Sequence, residues 1–137
     1  MKYPILFYIL FFPLIGTSYP DSLRTLELSE LAISFLEKND FDNFNSTRKK
    51  ALNIFRKNED WHNWMDFHLD WGISEIERKN FKKAIKALES GAQGIWRDPK
   101  TPQEWHLYII IYSTVGYIYI NEFGNVFKAI EIYEKAR

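Results

Sequence analysis

The chain has no cysteine and no net charge, and each absence excludes a set of functions. Without cysteine there is no thiol catalysis, no disulfide framework, no cysteine-ligated zinc or iron–sulfur site and no lipid attachment through an N-terminal cysteine. The 18 basic residues balance the 18 acidic residues, so no net field favours nucleic acid or an acidic membrane surface. A charged partner therefore has to be recognised locally.

Sequence motifs of the common enzyme classes are missing as well. No Gly-rich phosphate loop, nucleophile elbow or paired-carboxylate motif is recognisable. A catalytic pair contributed by distant helices leaves no such motif in one sequence. On the motifs present, the sequence predicts neither an enzyme nor a cofactor.

What the chain does have is enough apolar material for one packed domain. Its 137 residues are 46% hydrophobic and 18% aromatic, which argues against disorder and for a single core.

The first 18 residues have the pattern of a secretory signal peptide. Lys2 supplies a positive charge, residues 5–15 are almost continuously apolar, and residues 16–18 are small, as a cleavage site requires. We therefore expect cleavage to leave residues 19–137 as a secreted or periplasmic domain. Two alternatives are a membrane anchor formed by residues 5–15 and a buried N-terminal helix. The anchor is disfavoured because a bilayer span takes about 20 residues.

The first predicted hairpin has a long turn. Asp21 and Ser22 can cap a first helix that ends near residues 39–40. The Asn- and Asp-rich residues 41–46 suit a turn, after which Ser46 or Thr47 can cap a second helix. Asn45, in this predicted turn, also matches an N-glycosylation acceptor pattern.

Two further hairpins are predicted along the rest of the chain. Asp60 can cap a third helix that runs to Ile76, and Asn80 separates it from a fourth helix over residues 81–92. A fifth helix runs from about residue 102 to 122, and a sixth from about residue 125 to the end. The apolar, beta-branched part of the fifth also suits a strand, but a lone strand here would have no partner. The sequence therefore predicts an all-α fold.

A spacing of small and large residues occurs twice across these helices. In each copy a bulky residue and Gly lie on one helix, and residues at intervals of four and three lie on the next. Gly in a helix interior costs about 1 kcal/mol relative to Ala, so its presence indicates close helix packing. The two copies are Trp71-Gly72 with Ala84, Leu88 and Gly91, and Val115-Gly116 with Ala129, Tyr133 and Ala136.

This pattern resembles a tetratricopeptide repeat, with the repeat positions Trp71, Gly72, Ala84, Leu88, Gly116, Tyr119, Ala129, Tyr133 and Ala136. A weaker third copy is Leu31-Ala32 with Ala51 and Phe55, after an insertion of about seven residues. The resemblance implies about six antiparallel helices in three hairpins, arranged as an alpha-solenoid. The chain departs from the family at Glu75, where the family has Tyr, and in a spacing of 44 residues between Gly72 and Gly116, where the family has about 34.

The resemblance also implies a protein- or peptide-binding function. The family binds partners with the first helix of each hairpin, and the surface carried over here is largely aliphatic with acidic spots. It would suit an extended or helical peptide with apolar anchors and a basic group. The alternative is that so small a domain buries these residues against itself. The matching residues are Asp66, Leu69, Ile73, Ile76, Glu77, Ile110, Ser113, Tyr117, Ile120 and Asn121, with Ser29, Ile33 and Glu37 from the first repeat.

A competing hypothesis is a small exported helical enzyme, or a metal- or ligand-binding domain, that uses the acidic, Trp- and His-rich segment 59–71. His62, Asp66 and Asp70 recur every four residues, and imidazole with carboxylate on one helix face can ligate a divalent metal. No fixed pattern such as HExxH supplies the remaining ligands, and acidic residues also suit the start of a helix.

The sixth helix leaves an apolar side that only the fifth helix is predicted to cover. Solenoids normally add a polar capping helix at this point. We therefore expect self-association through the sixth helix, a bound partner, or a longer array of which this chain is part.

Overall fold

Six α-helices form the part of the chain that the structure, a computed structural model, describes. That part is residues 21–137 apart from Trp96, so the predicted signal peptide lies outside it. No strand occurs among these residues, and the all-α prediction with six helices is confirmed. The helices are α1 (Asp21–Glu37), α2 (Phe41–Lys57), α3 (Trp61–Glu77), α4 (Phe81–Gln93), α5 (Pro102–Asn121) and α6 (Val126–Lys135).

The same compact turn joins each of the first three helices to the next. A residue with positive φ (Asn39 at 61°, Glu59 at 52°, Lys79 at 60°) ends each helix. An Asp or Asn then occupies the N-cap position of the following helix, and its own N–H closes the preceding one, as Asp40 does by donating to the Phe35 carbonyl at 2.9 Å. The turns therefore recur every 20 residues, at 39, 59 and 79.

The predicted start of the second helix is wrong. Helix α2 begins at Phe41, because Asp40 accepts hydrogen bonds from the backbone N–H of Asn43 at 3.3 Å and from its side-chain amide at 2.7 Å. Asn and Asp suit turns and helix starts alike, and the buried Phe44 holds this first turn of the helix against the core. Asn45 is consequently on a helix, where its side chain accepts from Arg48.

With α2 starting at Phe41, the first hairpin has no insertion relative to the second. Phe44 is the fourth residue of α2, as Ala84 is of α4. Ala51 and Phe55, the pair assigned to the weaker third copy, lie seven and eleven residues after Phe44, about two and three helical turns further along. The apparent insertion came from matching the wrong turns of the helix.

Each hairpin packs against the next. The closest packing is within the pairs α1–α2, α3–α4 and α5–α6. Helix α3 also contacts α1, α2 and α5, and α4 contacts α5. Helices α1 and α5 contact α3 but not each other, so they lie on opposite sides of it. The first helices of the three hairpins are thus neighbours in a row.

Two glycines mark close approaches between the helices of a hairpin. A Cβ built on Gly72 would lie 2.5 Å from Leu88 Cδ2, and one on Gly116 would lie 2.5 Å from Tyr133 Cε1. Both pairs belong to the predicted repeat positions. Besides the two glycines, the repeat positions Ala84, Leu88 and Ala129 are buried, Trp71, Tyr119 and Ala136 are half-buried, and Tyr133 is exposed.

Glu75, the residue that departs from the family pattern, joins two hairpins. Its carboxylate is buried and accepts a hydrogen bond from the Asn80 side chain at 2.9 Å. It also lies 3.8 Å from the Arg78 guanidinium, which donates to the Leu36 carbonyl at 2.7 Å. The polar residue therefore helps to hold α3 against the end of α1.

A buried carboxylate organises the longer connection between α4 and α5. Glu104 accepts two hydrogen bonds from Arg97, both at 2.9 Å, and one from the Lys100 N–H at 2.7 Å. Its own N–H donates to the Thr101 side chain that caps α5. The hydrogen bonds from Arg97 are the largest cause that lowers the pKa of Glu104, to about 2.

Glu104→Gln is expected to lower the free energy of unfolding at pH 7 by about 1–2 kcal/mol, after allowance for solvent around Arg97. The folded-state pKa lies below the ordinary value of 4.5, so the carboxylate stabilises the fold above that value. The difference between wild type and variant should shrink as the pH falls from about 5 to about 2. Urea unfolding across this range measures it, with Glu131→Gln, an exposed ion-pair residue, as control. A difference that persisted undiminished at pH 2.5 would contradict this role.

Candidate binding surface

One stripe of α3 faces away from the core. Asp66, Asp70, Ile73 and Glu77 follow one another at intervals of three and four, and all are exposed. The opposite side of the helix is buried, as His68 shows. The stripe lies between α1 and α5, the two helices that flank α3, and a partner can reach it because its residues are exposed.

A groove of about 300 Å³ lies between this stripe and α1. Helix α1 supplies one wall and α3 the other, and α2 closes the base with one aromatic ring. The lining residues are Leu26, Ser29, Glu30, Ile33, Ser34 and Glu37 from α1, Phe55 from α2, and Asn63, Asp66, Phe67 and Asp70 from α3.

The rim of the groove is acidic. Its four carboxylates are Glu30, Glu37, Asp66 and Asp70, and no lysine, arginine or histidine is among the lining residues. Within the described part of the chain, no side chain forms an ion pair with any of the four. Burial is the larger cause that raises the pKa of Asp70, and the charge of Asp66 adds to it. A cation bound here would relieve that repulsion.

The inside of the groove is apolar. The rings of Phe55 and Phe67 are buried, Ile33 is half-buried, and Leu26 is exposed at one end. An apolar base with a ring of carboxylates combines burial of hydrocarbon with local recognition of positive charge. The geometry suits a side chain with an aliphatic stem and a cationic end, such as lysine or arginine.

The groove collects some of the residues that the sequence predicts for binding. Ser29, Ile33, Glu37 and Asp66 line it. Ile73 and Glu77 extend the same exposed stripe, Ile76 is half-buried beside them, and Leu69 is buried and offers no surface to a partner. Leu69 is next to Asp70 in the sequence, but its side chain lies on the core side of the stripe through Asp66 and Asp70.

The predicted residues of α5 lie elsewhere. Tyr117, Ile120 and Asn121 are exposed, whereas Ile110 and Ser113 are half-buried. Because α5 flanks α3 on the side away from α1, none of the five lines the groove.

Several residues that line the groove were not among those predicted for binding. Leu26 and Glu30 share the α1 face of Ile33 by helical spacing, which was a usable signal. Asp70 follows Asp66 by four residues, but that spacing was assigned to a metal set. Asn63 and the aromatic base depend on how α2 and α3 pack, which no spacing within one helix reveals.

Within the acidic, Trp- and His-rich segment, His68 and the tryptophans beside it belong to the helix packing. His68 is buried between Trp64 and Trp71, at ring centroid distances of 4.9 and 5.7 Å. Its burial lowers its pKa to about 4, so the ring is neutral at ordinary pH. Throughout the described residues, no three His, Asp or Glu side chains are grouped so that they could hold a metal ion.

No family model, curated protein or solved structure matches this chain. Among the helices that the structure describes, none is long and apolar enough to cross a membrane.

Proposed function

We propose that this protein is an exported helical-repeat scaffold, of the tetratricopeptide-like alpha-solenoid kind, that binds a protein or peptide partner. The observation that carries the proposal is the groove between α1 and α3, with an apolar base and four carboxylates on its rim that form no ion pair within the described residues. The row of first helices from successive hairpins supports the comparison with repeat scaffolds, which bind partners along such rows.

The chemistry of the groove selects the class of ligand. The partner segment carries at least one lysine or arginine flanked by apolar residues, so that hydrocarbon covers Phe55 and Phe67 while the cation meets Asp66 and Asp70. Because the overall charge is balanced, attraction of a cationic segment has to come from local groups such as these carboxylates. Nucleic acid is disfavoured as a partner because its phosphates would be repelled by the carboxylates of the rim.

The N-terminal sequence supports the proposed export. An apolar run at residues 5–15 between Lys2 and the small residues 16–18 fits a secretory signal peptide and a secreted or periplasmic domain. Retention of the run as an anchor would hold the same domain at a membrane surface. The groove would face its partner outside the cytoplasm in either case.

Asp66→Asn/Asp70→Asn is expected to weaken binding of basic, apolar peptides by at least tenfold, about 1.4 kcal/mol, because it removes two carboxylates from the rim. A peptide array identifies ligands, and fluorescence anisotropy of the selected peptide measures Kd. The exposed pair Asp98→Asn/Glu122→Gln, which changes the same net charge outside the groove, should leave Kd unchanged.

The pH dependence of binding gives a second measurement. The pKa of Asp70 is raised, so binding should weaken as the pH falls through a value above that of an ordinary aspartate. Two results would reject the proposed groove: an array with no preference for basic segments, and equal losses of affinity in the two charge-matched variants.

The alternative function of segment 59–71, as an enzyme or as a metal- or ligand-binding site, has less support. The segment's carboxylates Asp66 and Asp70 belong to the groove, and His68 is enclosed by rings. A thermal-shift panel of divalent metals and small molecules distinguishes this function from peptide binding.

A further inference from the structure

Exposed apolar surface is concentrated at the C-terminal hairpin. Half of the large hydrophobic residues that are exposed within the described residues lie between positions 117 and 133. Phe127 is 88% exposed and Ile130 is 53% exposed, both on α6. Large apolar side chains this exposed, concentrated in one hairpin, are typical of an interaction site.

The equivalent positions on α4 show which kind of element packs against such a surface. Phe127 and Ile130 are the second and fifth residues of α6, and Lys82 and Ile85 are the second and fifth residues of α4. Lys82 and Ile85 line a shared cavity with Tyr119 at the end of α5, and Ile85 is only 8% exposed. This edge of α4 therefore receives the first helix of the next hairpin, whereas no helix in the described residues covers the same edge of α6.

The matching surface for that edge is present on α1. The residue before Gly72 is Trp71, and it packs against the preceding helix α2 beneath Arg48, at 4.7 Å from ring centroid to Cζ. Leu31 occupies the corresponding place before Ala32 on α1, yet it is 45% exposed. Phe35 follows Ala32 by three residues, as Tyr119 follows Gly116.

We infer that the α6 edge of one molecule binds the α1 edge of a second copy, head to tail. The contact continues between molecules the packing that joins α2 to α3 and α4 to α5 within one. Phe127 and Ile130 of one copy then lie against Leu31 and Phe35 of the next. A head-to-tail contact uses two different surfaces, so it remains open at both ends and adds further copies as concentration rises.

Sedimentation velocity of the full chain across a range of concentrations tests the inference. The wild type should grow past the dimer, with a weight-average mass that rises with concentration. Phe127→Glu/Ile130→Glu blocks one edge and Leu31→Glu blocks the other, so each variant alone should stay monomeric. An equimolar mixture of the two should form a 1:1 dimer that does not grow, because each supplies the edge that the other lacks.

The mixture separates this arrangement from the alternatives. A symmetric dimer through α6 alone would leave Leu31→Glu dimeric and would overturn the inference, as would a wild type that is monomeric at all concentrations. Ile109→Glu, an exposed apolar position on α5 away from both edges, should associate like the wild type. Circular dichroism checks that each variant is folded. Peptide binding in the groove should survive in the Phe127→Glu/Ile130→Glu variant, so the two proposals can fail separately.

Discussion

Trp64→Ala is expected to lower the free energy of unfolding by about 3–5 kcal/mol, the typical cost of deleting a buried tryptophan side chain. The indole joins three parts of the fold. It donates from Nε1 to the Gly91 carbonyl on α4 at 3.0 Å, contacts Trp61 edge to face at 5.9 Å, and carries the Arg56 guanidinium of α2 at 5.1 Å. The free energy of unfolding of a domain is about 5–15 kcal/mol in total, so this one substitution is expected to remove a large part of it.

Denaturant unfolding followed by circular dichroism measures the loss, and two further variants divide it. Trp64→Phe retains a ring but leaves the Gly91 carbonyl without its donor, so it should cost about 1–3 kcal/mol. Trp105→Ala removes the same side chain from an exposed position at the start of α5 and should cost less than about 1 kcal/mol. Equal losses at Trp64 and Trp105 would show that the indole of Trp64 does not link the helices as described.

Gly72→Ala is expected to cost about 1–3 kcal/mol, although alanine favours helix by about 1 kcal/mol. The new Cβ would lie 2.5 Å from both Cγ and Cδ2 of Leu88. Leu88 is fully buried, so its side chain has nowhere to move and α3 must shift away from α4. Gly72→Leu should cost more still, because it adds three further carbons at the same contact.

Gly116→Ala is the matched comparison for Gly72→Ala. Its Cβ would also lie 2.5 Å from a side chain, the ring of Tyr133, but that ring is exposed and can swing into solvent. We expect a change within about 1 kcal/mol of zero, since the gain in helix propensity offsets the adjustment. Thermal or denaturant unfolding of both variants decides the matter. Equal destabilisation at the two glycines would contradict the role given to Leu88.

A double variant checks the cause of the Gly72 effect. Leu88→Ala alone leaves a cavity and destabilises the fold. In Gly72→Ala/Leu88→Ala the added methyl group has room, so the combined loss should be smaller than the sum of the two single losses.

The helices themselves were largely predictable because their boundaries depend on local chemistry. Asp60 before an aromatic and Asn125 after Gly124 are cap signals that act within a few residues, and the structure places helix starts directly after both. Asp40 carries the same signal, but the Asn and Asp residues that follow it also favour turns. The choice there depends on burial of Phe44 against α3, where it meets Trp71 at 5.3 Å. Such a tertiary contact cannot be read from local propensity.

The groove was predictable only in part, for a similar reason. Helical spacing places Asp66 and Ile73 on one stripe, and it equally places Glu30 beside Ile33. Which stripe of α1 comes to lie opposite which stripe of α3 depends on the angle between the helices. The family pattern selects positions on each helix separately and does not say which of them share one groove. Leu69, which is buried, and the predicted residues of α5, which lie outside the groove, are examples.

The row of neighbour contacts has a consequence for how the chain folds. Helix α6 is joined to the described structure through α5 alone, and α2 through α1 and α3. Each hairpin can therefore form from segments that are close in the chain, which favours rapid folding with little cost of loop closure. The converse is that the two ends open at a lower free energy than the middle, so the molecule loses structure from its ends inward. Helix α3, which contacts every helix except α6, is the last to be released.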